Sequence, residues 1–231
     1  MIKKAEQEQN KNTETIENID KVGIPNVPNF ENNIQFITII GEIEGHNTSS
    51  SGKKATKYEH IIPMLIAAVQ DPKIKGLFII LNTEGGDVEA GLALSEMINS
   101  IDKPKVSLVL GGGHSIGVPL ATATDYSFIV PTAAMTIHPI RTTGLVIGVP
   151  QTFRYFQKMQ KRINDFILRT SNISEETLMN LMFATDELAN DVGTILIGKD
   201  AVDYGLIDEV GGFDKALRKL NELIDNKKNM K

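Results

Sequence analysis

The chain has 231 residues, 41% hydrophobic and 23% charged, with a formal net charge of −5 and no cysteine. That is enough chain for one sizeable globular domain with appendages. The acidic balance argues against a general nucleic-acid binder, and the lack of cysteine excludes disulfides, thiol catalysis and thiolate-held metals.

Residues 1–33 are rich in Glu, Lys, Asn and Gln, carry Pro25 and Pro28, and show no apolar periodicity. They are expected to form a flexible polar tail, too poor in apolar surface to offset its ordering entropy. The first residues lack the apolar core of a signal peptide, and no apolar run reaches the roughly 20 residues of a membrane span. A cytoplasmic location is therefore expected.

At Gln35 the character changes. Residues 35–40 (QFITII) read as a buried strand, 46–58 as an exposed polar loop, and 59–70 as a helix with Pro63 in its first turn. Residues 77–82 form a second apolar strand, followed by a glycine turn and an amphipathic helix within 83–100. Residues 105–110 form a third strand that runs into Gly111-Gly-Gly-His-Ser115 and a helix over 116–124. Strands are expected at 126–131 and 133–139. Residues 151–170 give the longest helical pattern, with Phe153, Phe156, Met159, Ile163, Phe166 and Ile167 on one stripe. Ser174 suits the N-cap of a further helix. A strand at 194–198 and a short helix and turn over 200–208 complete the pattern. Strands alternating with helices predict an α/β fold with mostly parallel pairing.

Two glycine-rich turns stand where strands lead into helices, the usual place for an α/β active site. Gly113-His-Ser115-Ile-Gly117 fits the G-x-S-x-G turn, whose glycines permit a sharp reversal that exposes the serine hydroxyl. The plain alternative is a serine that only caps the helix. Gly85-Gly86 serves either a tight turn or a close backbone approach to a ligand. If the two turns face each other, an amide near Gly86 and that of Ile116 converge on a carbonyl oxygen as an oxyanion hole.

Of four histidines, His138 closes the apolar run Ala133-Ala-Met-Thr-Ile-His and suits a rigidly held general base, or else a partly buried structural role. His114 adjoins the serine and has at most a lining role. His46 and His60 belong to no visible constellation. Asp186, Asp191 and Asp200 are open as the group that orients the histidine. No metal-ligand spacing and no cofactor motif is present, so neither a metal nor a cofactor is expected.

Assembled in order, these segments resemble the ClpP peptidase family of the ClpP/crotonase superfamily. ITIIGEIEG (37–45), NTEGGDVEAGLAL (82–94), GGGHSIG (111–117), MTIHP (135–139) and DAVDYGLIDEV (200–210) each match a family segment in sequence order. The resemblance implies a ClpP/crotonase-like spiral of β-β-α units over 34–225, a protruding handle helix at about 150–171, and a polar tail at 226–231. It implies a serine endopeptidase acting on peptides or unfolded polypeptides, with catalytic Ser115, His138 and Asp191 and oxyanion donors at Gly86 and Ile116. The aspartate spacing departs from the family pattern by two residues, and an ungapped carry-over lands on Gly193. Glu84 stands for the usual proline and His114 for a small residue. With the 46–58 insertion and the long N-terminal segment, these features are similar to the branch of translocation-enhancing proteins, linked to protein export and signal-peptide degradation. The resemblance further implies a homo-oligomeric ring, a heptamer or stacked rings, with an ATPase or translocase partner. The alternatives are a catalytically weak ring acting as a scaffold, and an acyl-CoA-binding crotonase-like enzyme.

Overall fold

The computed structural model describes residues 33–47, 49, 52–141, 148–186 and 191–229. The expected N-terminal tail lies, except for Asn33, outside the described residues. In chain order the elements are β1 (Ile34–Glu44), β2 (Ala55–Lys57), α1 (Tyr58–Gln70), β3 (Gly76–Gly86), α2 (Val88–Ser100), β4 (Lys105–Gly113) and α3 (Gly117–Thr122). They continue with β5 (Tyr126–Ile129), β6 (Ala134–Ile137), α4 (Val149–Thr170), α5 (Glu175–Met182), β7 (Thr194–Ile197), α6 (Lys199–Asp203), β8 (Glu209–Val210) and α7 (Phe213–Asn229). This is the expected α/β class, consistent with a ClpP-like fold.

The main sheet runs β2-β1-β3-β4-β5-β8, and each neighbouring pair in it is parallel. Its strands are apolar on both faces, as a parallel sheet covered on both sides requires. On one face Ile37, Ile39, Leu77, Ile79, Leu81 and Val109 join the larger core. On the other, Phe78, Val106, Leu108 and Phe128 pack against Ala216, Leu220 and Ile224 of α7. β6 leaves the edge of this layer, touching β4 only where Gly112 faces Ala134, and pairs antiparallel with β7.

Several boundaries differ from the sequence reading. The polar segment 46–58 contains β2, aligned on Glu42–Glu44 of β1. Its Thr56 both donates to and accepts from the Ile40 backbone at 2.8 Å. Pro63 lies inside α1, past its first turn. β3 and β4 each run on through their glycines, so Gly85 and Gly86 end a strand and do not form a tight turn. α7 was not anticipated, and it continues through Asn229, beyond the expected domain end at 225. The Ser174 cap is present: its hydroxyl accepts from the Thr177 amide at 3.1 Å.

Candidate active site

The parallel registers of β1–β3 and β3–β4 both slip at one level, beside Asn82 and Thr83. A register slip bends and twists the strands locally, and here it opens the carboxyl end of the sheet. Thr83 organises the opening. Its hydroxyl donates to the Gly41 carbonyl at 2.6 Å and accepts from the Gly85 amide at 3.0 Å. Its carbonyl accepts from the His114 amide at 3.1 Å. The sequence reading missed this residue, because a lone buried threonine carries no motif.

Among the described residues, Ser115 is the one non-glycine with positive φ, at 56°. Left-handed backbone costs an L-residue about 1–2 kcal/mol, so the surrounding contacts must hold it there. The Ser115 amide donates to the Thr136 carbonyl at 2.9 Å, the Gly117 amide to the His114 carbonyl at 2.8 Å, and the Val118 amide to the Ser115 carbonyl at 3.0 Å. Among the described residues the Ile116 amide, between them, has no acceptor. Gly85, at φ +94°, leaves the space the serine needs: a β-carbon on it would stand 2.7 Å from the Ser115 Cβ and 3.4 Å from its Oγ. Gly91 of α2 likewise gives way to the Ile116 side chain.

One cleft is lined by Gly86, Ser115, Ile116 and His138, four of the five predicted site residues. Its remaining walls are mostly apolar: Val88, Val118, Ile137 and Ile140, with Ile163 and Ile167 of α4 and Met182 of α5. The apolar stripe on α4 therefore divides. Met159, Phe166 and Ile167 are buried, Phe156 and Ile163 are half-buried, and Phe153 stays exposed. Arg141 is the charged side chain at the cleft.

The His138 ring is half-buried, and its Nδ1 donates to the Pro139 carbonyl at 2.6 Å. Burial pushes its pKa below the ordinary value of 6.5, and Arg141 adds to this. The Pro139 carbonyl and the charge of Asp191 act the other way. His114 is also lowered, by burial first, with Glu84 opposing and His138 reinforcing. Its Nδ1 shares a hydrogen bond with the Thr136 hydroxyl at 2.8 Å.

The fifth predicted residue, Asp191, is engaged elsewhere. One carboxylate oxygen pairs with Arg141 at 2.8 Å, and the other accepts from the Val192 amide at 2.8 Å. Asp200 accepts from the Ile197 amide at 3.2 Å, and Asp186 is exposed. The residue directly against His138 is Gly193. A β-carbon there would lie 2.8 Å from the His138 Cβ and run into the Ile137 carbonyl. His46 lies edge-on to Tyr58, at 5.8 Å between ring centroids. No cluster of three metal-ligating side chains occurs among the described residues, and no helix there is long and apolar enough to cross a membrane.

Comparison with known proteins places this arrangement. The family model described as Clp protease matches residues 44–213, the span from the end of β1 to the start of α7. The chain is 61% identical over 211 residues to the translocation-enhancing protein TepA of Halalkalibacterium halodurans, covering 91% of this chain and 82% of that one. It is 28% identical over 182 residues to an ATP-dependent Clp protease proteolytic subunit of Streptococcus sanguinis, covering 76% and 84% of the two chains. A Lactococcus lactis subunit of the same description is 28% identical over 158 residues, covering 65% and 74%. With the family model matching residues 44–213 and a relative 61% identical over 91% of the chain, the chain belongs to the Clp protease family, in the branch of its translocation-enhancing members.

Proposed function

We propose that the protein is a serine endopeptidase that cleaves peptides or unfolded polypeptides. Ser115 is the nucleophile, His138 the general base, and the amides of Ile116 and Gly86 the oxyanion donors. The observation that carries this reading is the strained Ser115 backbone, in one cleft with His138 and both glycine-rich strand ends. Strain held in place by surrounding contacts is characteristic of functional turns. In the first step the Ser115 Oγ attacks the scissile carbonyl while its proton passes to His138 Nε2. The oxyanion draws on the two amides, the leaving amine takes the proton, and water then releases the acyl group. Asp191 acts on the base through its charge, in opposition to Arg141.

The relatives' names support two further parts of the proposal. One is work as a proteolytic subunit that depends on an ATP-driven partner. The other is a role in protein translocation. The test of the chemistry is fluorophosphonate labelling of the full chain, read by intact mass, with Ser115→Ala and His138→Ala alongside. One adduct on the wild type and none on either variant is expected. The second reading is a ring that binds substrates with little catalysis, favoured by the engagement of Asp191 with Arg141. An unlabelled wild type would select it.

A further inference from the structure

The orienting group of a catalytic histidine has two tasks. It fixes which ring nitrogen carries the resting proton, and it stabilises the imidazolium that forms. Around His138 the first task is done by main chain. A carbonyl oxygen can only accept, so the Nδ1 bonded to Pro139 at 2.6 Å is the protonated nitrogen, and Nε2 is left with the free lone pair. The peptide unit that supplies this carbonyl is held at its other end as well. The Ile140 amide donates to Gln160 Oε1 of α4 at 2.7 Å. The Gln160 Nε2 donates in turn to Asn164 Oδ1 at 2.8 Å, which fixes the orientation of the Gln160 amide. The three bonds form a chain in one direction: ring N–H to carbonyl, peptide N–H to Gln160, Gln160 N–H to Asn164. Chains of this kind polarise one another, so the Pro139 oxygen becomes a better acceptor when the Ile140 amide is engaged.

No carboxylate competes for this place among the described residues. Both oxygens of Asp191 are used, by Arg141 and by the Val192 amide. Gly193 packs against the His138 Cβ with no room for a side chain.

We propose that the Pro139–Ile140 peptide, clamped by Gln160, takes the place of the aspartate, making Gln160 a positioning residue and the catalytic unit a serine–histidine dyad. This rests on the reading of Ser115 and His138 as nucleophile and base. The proton taken from the Ser115 hydroxyl goes to Nε2. The imidazolium keeps its Nδ1–H on the Pro139 carbonyl and then gives the Nε2 proton to the leaving amine, so the peptide itself never changes protonation state.

The test is the rate at which a fluorophosphonate labels Ser115 across pH, together with the nitrogen-15 spectrum of the His138 ring. Both are measured on the full chain as wild type, Gln160→Leu, Gln160→Glu and Asp191→Asn. Gln160→Leu removes the acceptor for the Ile140 amide and is expected to slow labelling about 10-fold. Gln160→Glu keeps an acceptor oxygen on a side chain of the same length and restores the rate. Asp191→Asn removes a charge that favours the imidazolium and is expected to slow labelling by no more than a few-fold, whereas loss of a triad aspartate costs about 10⁴-fold. The ring carries its proton on Nδ1 in both the wild type and Asp191→Asn. A loss near that size in Asp191→Asn, an unchanged rate in Gln160→Leu, or a wild-type ring protonated on Nε2 would each overturn the proposal. If the wild type takes no label, the peptidase reading fails separately and the ring spectrum decides. An Nδ1 proton that persists in Asp191→Asn and weakens in Gln160→Leu supports the clamp, and any other pattern refutes it.

Discussion

The amide of Ser115 donates to the carbonyl of Thr136 at 2.9 Å, so the strained turn is tied to the strand that leads into His138. Ser115 and His138 thereby share one hydrogen-bonded frame, although 22 residues separate Ser115 from Ile137, the last residue of that strand. The Thr136 hydroxyl bonds the His114 ring, adding a second tie between turn and strand.

The first prediction concerns acid. The folded-state pKa values of His138 and His114 both lie below the ordinary 6.5. More than half of His138 is therefore neutral at pH 6.5, and the acid limb of Ser115 labelling is expected to be centred below that pH. For stability, the unfolded chain binds more protons than the folded one in this window. The histidine contribution is complete above pH 6.5 and is lost as pH falls through the lowered folded values. Denaturant titrations across the acid range check this, and a limb centred above 6.5 would contradict it.

The second prediction concerns Arg141. Its charge disfavours the His138 imidazolium, whereas that of Asp191 favours it. Arg141→Met leaves Asp191 unopposed, so the histidine gains proton affinity and the acid limb moves to higher pH. Labelling at acid pH then falls while the alkaline plateau is kept. A limb that did not move would show that Arg141 exerts no field on the base.

Gly85→Ala should displace Ser115 directly. The added carbon would stand 2.7 Å from the Ser115 Cβ, at a backbone φ of +94°. Such strain costs about 1–3 kcal/mol. Relief requires the serine to move, so labelling should drop further than the loss of stability explains. A thermal melt and a labelling rate on the same sample separate the two effects.

Ser115→Gly should abolish labelling and raise stability by up to about 1 kcal/mol, as relief of the left-handed strain outweighs the extra freedom of glycine in the unfolded chain. Ser115→Ala keeps the strain and should melt close to the wild type. Equal melting temperatures for the glycine and alanine variants would mean the turn holds no strain.

Leu220 is fully buried against Phe78, Val106, Leu108 and Phe128. Leu220→Ala should cost about 2–5 kcal/mol, measured by urea unfolding. A small loss would mean that α7 is a dispensable appendage to the sheet.

Much of this was legible in the order of residues. β-branched runs broken by glycine gave the parallel α/β class, since strands buried on both faces need such runs. The Gly-x-Ser-x-Gly turn and the strand-end histidine made Ser115 and His138 candidates, and the structure places both at one cleft. α7 was equally available, because Ala216, Leu220 and Ile224 recur every four residues, but its charged outer face masked the stripe. The short β2 was hidden, because its strand character comes from pairing with β1 and from no apolar pattern of its own. The partner of His138 was beyond the sequence altogether. A main-chain carbonyl has no residue type to recognise, and the acceptor for its peptide lies on α4, 20 residues on. Local turn chemistry is written in neighbouring residues, so the sequence by itself determined Ser115 and His138 as the candidate nucleophile and base. Which groups surround the base depends on how α4 and the segment before β7 pack against it, and that only the tertiary structure decided.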